Sequence, residues 1–103
     1  MQKIANAQKI KREECITFEY HGQRALLVKT KQNTLVAYYA ICPHEGGTIE
    51  WDAEIHKLIC ECHLSMFNVA DGTIYRHSSI FEKIGDLTPI ALKIDEHQDV
   101  YVD

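Results

Sequence analysis

Two cysteines and two histidines carry the chemistry open to this chain. Cys42 and His44 form a C-x-H pair within Cys42-Pro43-His44-Glu45-Gly46-Gly47, and Cys60 and His63 form a C-x-x-H pair within Cys60-Glu61-Cys62-His63. Fifteen residues, 45 to 59, separate the pairs. Each pair offers one soft thiolate sulfur and one borderline imidazole nitrogen, a mixture that suits iron or zinc.

Such ligands need rigid carriers, and the sequence around them reads as strands. Residues 15–20 are rich in β-formers, and His21-Gly22 supplies a turn. Residues 24–30 form a second strand with Ala25-Leu26-Leu27-Val28 as its buried part. Lys31-Gln32-Asn33 is a polar turn, and residues 34–40 are a third strand that delivers the chain to Cys42. Residues 45–55 are expected as a loop and hairpin, and His56–Ile59 as a short strand entering Cys60. Residues Met66–Val69 pair back through the tight turn Ala70-Asp71-Gly72 to residues 73–75. Residues 90–94 and 99–102, split by a turn at Glu96-His97-Gln98, are expected to close the larger sheet. Residues 76–88 are the least regular stretch, with a short helical turn expected at 79–84.

The ligand pattern, with Pro43 inside the first pair, Gly46-Gly47 after it and Phe67 four residues past His63, resembles the Rieske [2Fe-2S] proteins. The resemblance covers roughly residues 4 to 102. It implies an all-β Rieske fold: antiparallel sheets in a sandwich, one domain over residues 1–103, with a small cluster-binding subdomain at about 41–86. It implies one Rieske-type [2Fe-2S] cluster per chain, with Cys42 and Cys60 on one iron and His44 and His63 on the other. Neutral imidazoles in place of two thiolates raise the reduction potential, to roughly −150 to +300 mV. Each histidine is implied to bind through Nδ1 with Nε2 near solvent, so the potential should fall as pH rises through the oxidised-state histidine pKa values. A structural zinc site is the competing reading, but zinc modules favour Cys-x₂₋₄-Cys pairs, and a Cys-x-His pair is atypical of them.

Composition bounds the rest. A chain of 103 residues, 46% hydrophobic and 25% charged, suits one soluble globular domain. The apolar run from Leu35 to Cys42 is far short of the ~20 residues of a membrane span. No basic region followed by an apolar stretch opens the sequence, so no export signal is expected. Net charge is −4, unevenly spread: residues 1–41 hold seven Lys/Arg and three Glu, whereas residues 42–103 hold four Lys/Arg and twelve Asp/Glu. Such an acidic end is a poor nucleic-acid binder, and it can steer toward a basic docking face on a redox partner.

Several residues near the ligands are singled out. Gly46 and Gly47 let the backbone approach the metal site. The resemblance places Ser65 as a hydroxyl donor to a bridging sulfide. The second family donor, a tyrosine, is Phe67 here. Leu64 departs from the family's usual glycine after the second histidine; leucine there is similar to ferredoxins of toluene-type diiron monooxygenases. Cys62 matches one position of the disulfide used by respiratory members, but the other position is Gly47, so that bridge cannot form. Reduced thiols fit a cytoplasmic protein. Cys15 is expected in the core and Trp51 in subdomain packing. His21, His56, His77 and His97 are expected as solvated histidines.

The chain has no G-x-G-x-x-G fingerprint, so it does not take hydride from a nicotinamide cofactor itself. It has no room for a second domain with a 2-His-1-carboxylate iron. The resulting expectation is a one-electron carrier between a flavin-dependent or other ferredoxin reductase and an oxygenase-type acceptor. It would be an electron-transfer component more than a catalyst on its own, with no small-molecule substrate. The alternatives are a small Rieske-fold subunit of a nitrite reductase or other redox complex, or a zinc-stabilised binding module.

Overall fold

The computed structural model describes residues 1–42, 47–61, 64–76 and 85–103. Among them the strands are β1 (Gln2–Asn6), β2 (Cys15–Tyr20), β3 (Gln23–Lys29), β4 (Leu35–Tyr39), β5 (Ile49–Asp52), β6 (Lys57–Cys60), β7 (Met66–Asn68), β8 (Ile74–Arg76), β9 (Lys93–Ile94) and β10 (Asp99–Val102). One 3-10 turn, Ala7–Lys9, follows β1. The strands form three antiparallel sheets, ordered β1-β10-β9, β2-β3-β4 and β5-β6-β7-β8. The all-β expectation holds.

The middle sheet organises the molecule. β2 and β3 meet at His21-Gly22, both with positive φ (52° and 76°), the backbone that a two-residue hairpin loop needs. β3 lies between β2 and β4. Its run Ala25-Leu26-Leu27-Val28 is buried on both faces, which is why the sequence there is apolar without alternation. Leu26 and Val28 join one core with Tyr38, Ala40, Ile49, Leu58 and Phe67. Ala25 and Leu27 join a second core with Ile10, Ala37, Ile90 and Val102. The period-two alternation of β3 therefore glues the β5–β8 sheet to one side and the β1-β10-β9 sheet to the other.

Two expectations are corrected here. The C-terminal strands do not extend the larger sheet; β10 pairs with β1 (Gln2↔Val102, Asn6↔Asp99) and forms a sheet of its own. Of residues 90–94, only Lys93–Ile94 is strand. β1 itself was not foreseen, because Gln2-Lys3-Ile4-Ala5-Asn6 holds a single β-branched residue. Its conformation is set by the partner strand rather than by local propensity. The helical turn expected at 79–84 lies outside the described residues.

The turn before β8 is fixed by glycine. Gly72 has φ +76°, and a Cβ there would fall 2.6 Å from Cε1 of Tyr38. Its N–H donates to the Asn68 carbonyl at 2.8 Å. The Asp71 carboxylate accepts from the Thr73 N–H (3.0 Å) and hydroxyl (2.6 Å), which holds its pKa below the usual carboxylate value.

Candidate metal centre

Cys42 and Cys60 begin two loops that are closed in the same way. The Cys42 N–H donates to the Gly47 carbonyl at 2.7 Å, and the Cys60 N–H donates to the Ser65 carbonyl at 2.9 Å. Each bond spans five residues, so the two loops have equal length. A third bond, from the Glu61 N–H to the Thr48 carbonyl (3.0 Å), ties the second loop to the exit of the first. An isolated bridge pairs Ile41 with Thr48. Segments 42–47 and 60–65 are thus each closed by a main-chain bond of the same span.

Both cysteines are sealed from solvent, 2% and 1% exposed. They share one apolar core with Ile49, Leu58 and Phe67. Cys60 stands opposite Ile49 in the β5–β6 ladder. His44 and His63 lie outside the described residues, as do Pro43, Glu45, Gly46, Cys62 and His77. Among the described residues no group of three or more metal-ligating side chains comes together.

Ser65 tests whether these loops suit an iron–sulfur group. It is fully buried, and its Oγ has no hydrogen-bond partner among the described residues. A buried hydroxyl left unsatisfied costs about 1–3 kcal/mol, so native structures rarely keep one without a role. A solvent-facing serine is ruled out. A buried hydroxyl with no partner among the described residues, on a loop that begins with a buried thiol, fits a bound group with sulfur acceptors. On this test the residues present suit a [2Fe-2S] cluster.

Leu64, next to it, is 66% exposed and has φ +59°. Its N–H donates back to the Cys60 carbonyl at 2.9 Å, which closes the turn that forces this backbone. Among the described non-glycine residues with positive φ, Leu64 is the one apolar side chain; the others are Glu13, His21, Asn33, His56 and Gln98.

Three side chains brace the β5–β8 sheet against the middle sheet and the segment before it. The Arg24 guanidinium donates to the Ile49 carbonyl (2.7 Å) and pairs with the Glu50 carboxylate (3.1 Å). Tyr38 donates its hydroxyl to the Val69 carbonyl at 2.7 Å, and burial raises its pKa to about 12. Trp51 packs on the core and donates Nε1–H to the Glu13 carbonyl at 2.8 Å. The expected packing role of Trp51 therefore holds, and the Glu50 carboxylate is occupied by Arg24. Nothing in the sequence marked Arg24 or Glu13 for these contacts.

His56 corrects another expectation. It is not a solvated histidine: both ring nitrogens are buried, its ring lies edge-on to Trp51 at 5.1 Å, and Nδ1 sits 3.2 Å from the Glu13 carboxylate without the alignment of a hydrogen bond. His21 and His97 are exposed, as expected. Cys15 packs against the core edge, and burial raises its thiol pKa to about 11. Among the described residues no helix is long and apolar enough to cross a membrane.

The family model described as Rieske [2Fe-2S] domain matches residues 1–86. The cytochrome b6-f complex iron-sulfur subunit of Microcystis aeruginosa is 37% identical over 57 residues, covering 53% of this chain and 31% of that subunit. The chain spans less than a third of the length of the first curated relatives it matches. Among solved structures, the ferredoxin of carbazole 1,9a-dioxygenase from Nocardioides aromaticivorans IC177 aligns with a TM-score of 0.73 at 16% identity, over 98% of this chain and 94% of that one. The quaternary ammonium Rieske monooxygenase CntA aligns with a TM-score of 0.81 at 17% identity, over 98% of this chain and 30% of that one. At such identities these two structures speak for the fold.

Proposed function

Because the chain belongs to the Rieske [2Fe-2S] domain family, we propose that it is a ferredoxin-type one-electron carrier. It would pass electrons from a flavin-dependent or other ferredoxin reductase to an oxygenase-type acceptor. Family membership implies a Rieske-type [2Fe-2S] cluster, which when bound supplies a reversible one-electron couple. Cys42 and Cys60 would hold one iron, and His44 and His63 the other.

The observation that carries this reading is the pair of equal loops, each opening on a buried cysteine, with the Ser65 hydroxyl on one of them lacking a partner among the described residues. The chain's own residues then have separate tasks. Burial of the Cys42 and Cys60 side chains keeps water from the sulfurs. Ser65 holds a hydrogen-bond donor where added negative charge is to be stabilised, which raises the potential. The Phe67 side chain, fully buried, fills the space beneath the second loop without a hydroxyl of its own.

The oxygenase-type acceptor is supported by the nearly full-length alignment with the carbazole dioxygenase ferredoxin. The relative from a cytochrome b6-f complex favours a second reading, a subunit of a complex of that kind. Gly47 weighs against it, since the disulfide that the resemblance assigns to respiratory members lacks its second cysteine. A cytoplasmic location belongs to the same proposal.

Iron and sulfide analysis with electron paramagnetic resonance of the dithionite-reduced protein tests the reading. About two irons and two sulfides per chain are expected, with an average g below that of all-cysteine clusters. A colourless protein holding one zinc, or an iron-free chain, would falsify it and leave the binding-module or companion-subunit reading.

A further inference from the structure

We infer that Leu64 is a partner-docking residue, seated in an apolar recess edged by lysine or arginine on the redox protein that exchanges electrons with this chain. The inference rests on the electron-carrier reading and names the chemistry of its partner. Two independent observations carry it. Leu64 is 66% exposed at the tip of the second ligand loop, so its side chain contributes little to either core. It also holds φ +59°, a conformation that glycine or asparagine adopts at lower cost. Strained backbone kept at a functional loop points to use rather than to folding.

Charge selects the partner. Glu61, on the same loop, is exposed, and Glu45 follows His44 in the sequence. A basic rim on the partner would steer encounter, and the leucine would then fix the seated complex. Transfer moves one electron from the reduced chain to an oxidised acceptor, with no bond made or broken.

Cytochrome c, a basic haem protein, is the test acceptor; ferricyanide is the small oxidant that needs no docking. Leu64→Gly and Leu64→Asn both accept the left-handed backbone. Each is expected to slow cytochrome c reduction about tenfold. Ferricyanide rates and the paramagnetic spectrum should be unchanged, and the Gly variant should melt no lower than the parent. The parent-to-variant ratio should hold from low to high salt even as both rates fall, since the lost contact is apolar. A cytochrome c rate within about twofold of the parent, below what one buried leucine contributes, overturns the inference. So does a parallel slowing with ferricyanide or a shifted spectrum, which would place Leu64 in cluster tuning. A parent protein without a reducible iron–sulfur signal overturns the carrier reading itself, a result separable from the other two.

Discussion

Replacing Ser65 by alanine asks what the orphaned hydroxyl is for. Among the described residues Oγ meets no acceptor, and it is sealed from solvent. A hydrogen bond to a charged partner contributes about 1.5–3 kcal/mol. If about half of that is gained only when the site takes up an electron, the reduced state loses about 0.8–1.5 kcal/mol in the variant, and a one-electron potential falls by about 30–65 mV. Alanine keeps the buried volume nearly constant, so the loop bond from Cys60 N–H to the residue 65 carbonyl survives. The assay is a redox titration of the cluster-loaded protein followed by visible absorption, beside the paramagnetic spectrum. A drop of some tens of millivolts with unaltered ligation is expected. A shift under about 10 mV, a small fraction of the tenfold step, would mean that the hydroxyl faces something other than the cluster.

Three further outcomes are expected. Gly72→Ala should lower stability by about 2–3 kcal/mol, read from urea midpoints: the left-handed backbone costs about 1–2 kcal/mol, and the Tyr38 ring must leave its bond to Val69. A loss below about 1 kcal/mol would mean that the ring moves aside freely. Stability should decline from pH 9 to 12, because the Cys15 thiol and Tyr38 hydroxyl have folded pKa values of about 11 and 12, above their ordinary values of 9.0 and 10.0. The folded state then binds more protons than the unfolded one, and Cys15→Ala should flatten the lower part of that decline. His44→Cys should lower the reduction potential by restoring thiolate charge, and an unchanged potential would remove His44 from the site.

The parts of the fold legible in the sequence are those where local pattern and tertiary role coincide. The hairpin at His21-Gly22, the apolar run of β3 and the turn at Gly72 each follow from residue type alone. The Cys/His pairs were legible as residue types, but the equal main-chain closure of 42–47 and 60–65 was not. β1 was not legible, because its strand state comes from β10, almost a hundred residues away in the chain. His56 was misread for a similar reason. A histidine on a turn is ordinarily solvated, and only the approach of Glu13 and Trp51 buries this one. Leu64 was visible as a departure, but its exposure and backbone were not.

The two loops close through main-chain atoms, Cys42 N–H to Gly47 and Cys60 N–H to Ser65. Main-chain closure is indifferent to the side chains it encloses. Inheritance can therefore alter the enclosed residues one at a time, retuning voltage or allegiance, while the scaffold beneath stays as it was. For the engineer the same indifference makes each six-residue segment a cassette, exchangeable at constant length between carriers built on this frame.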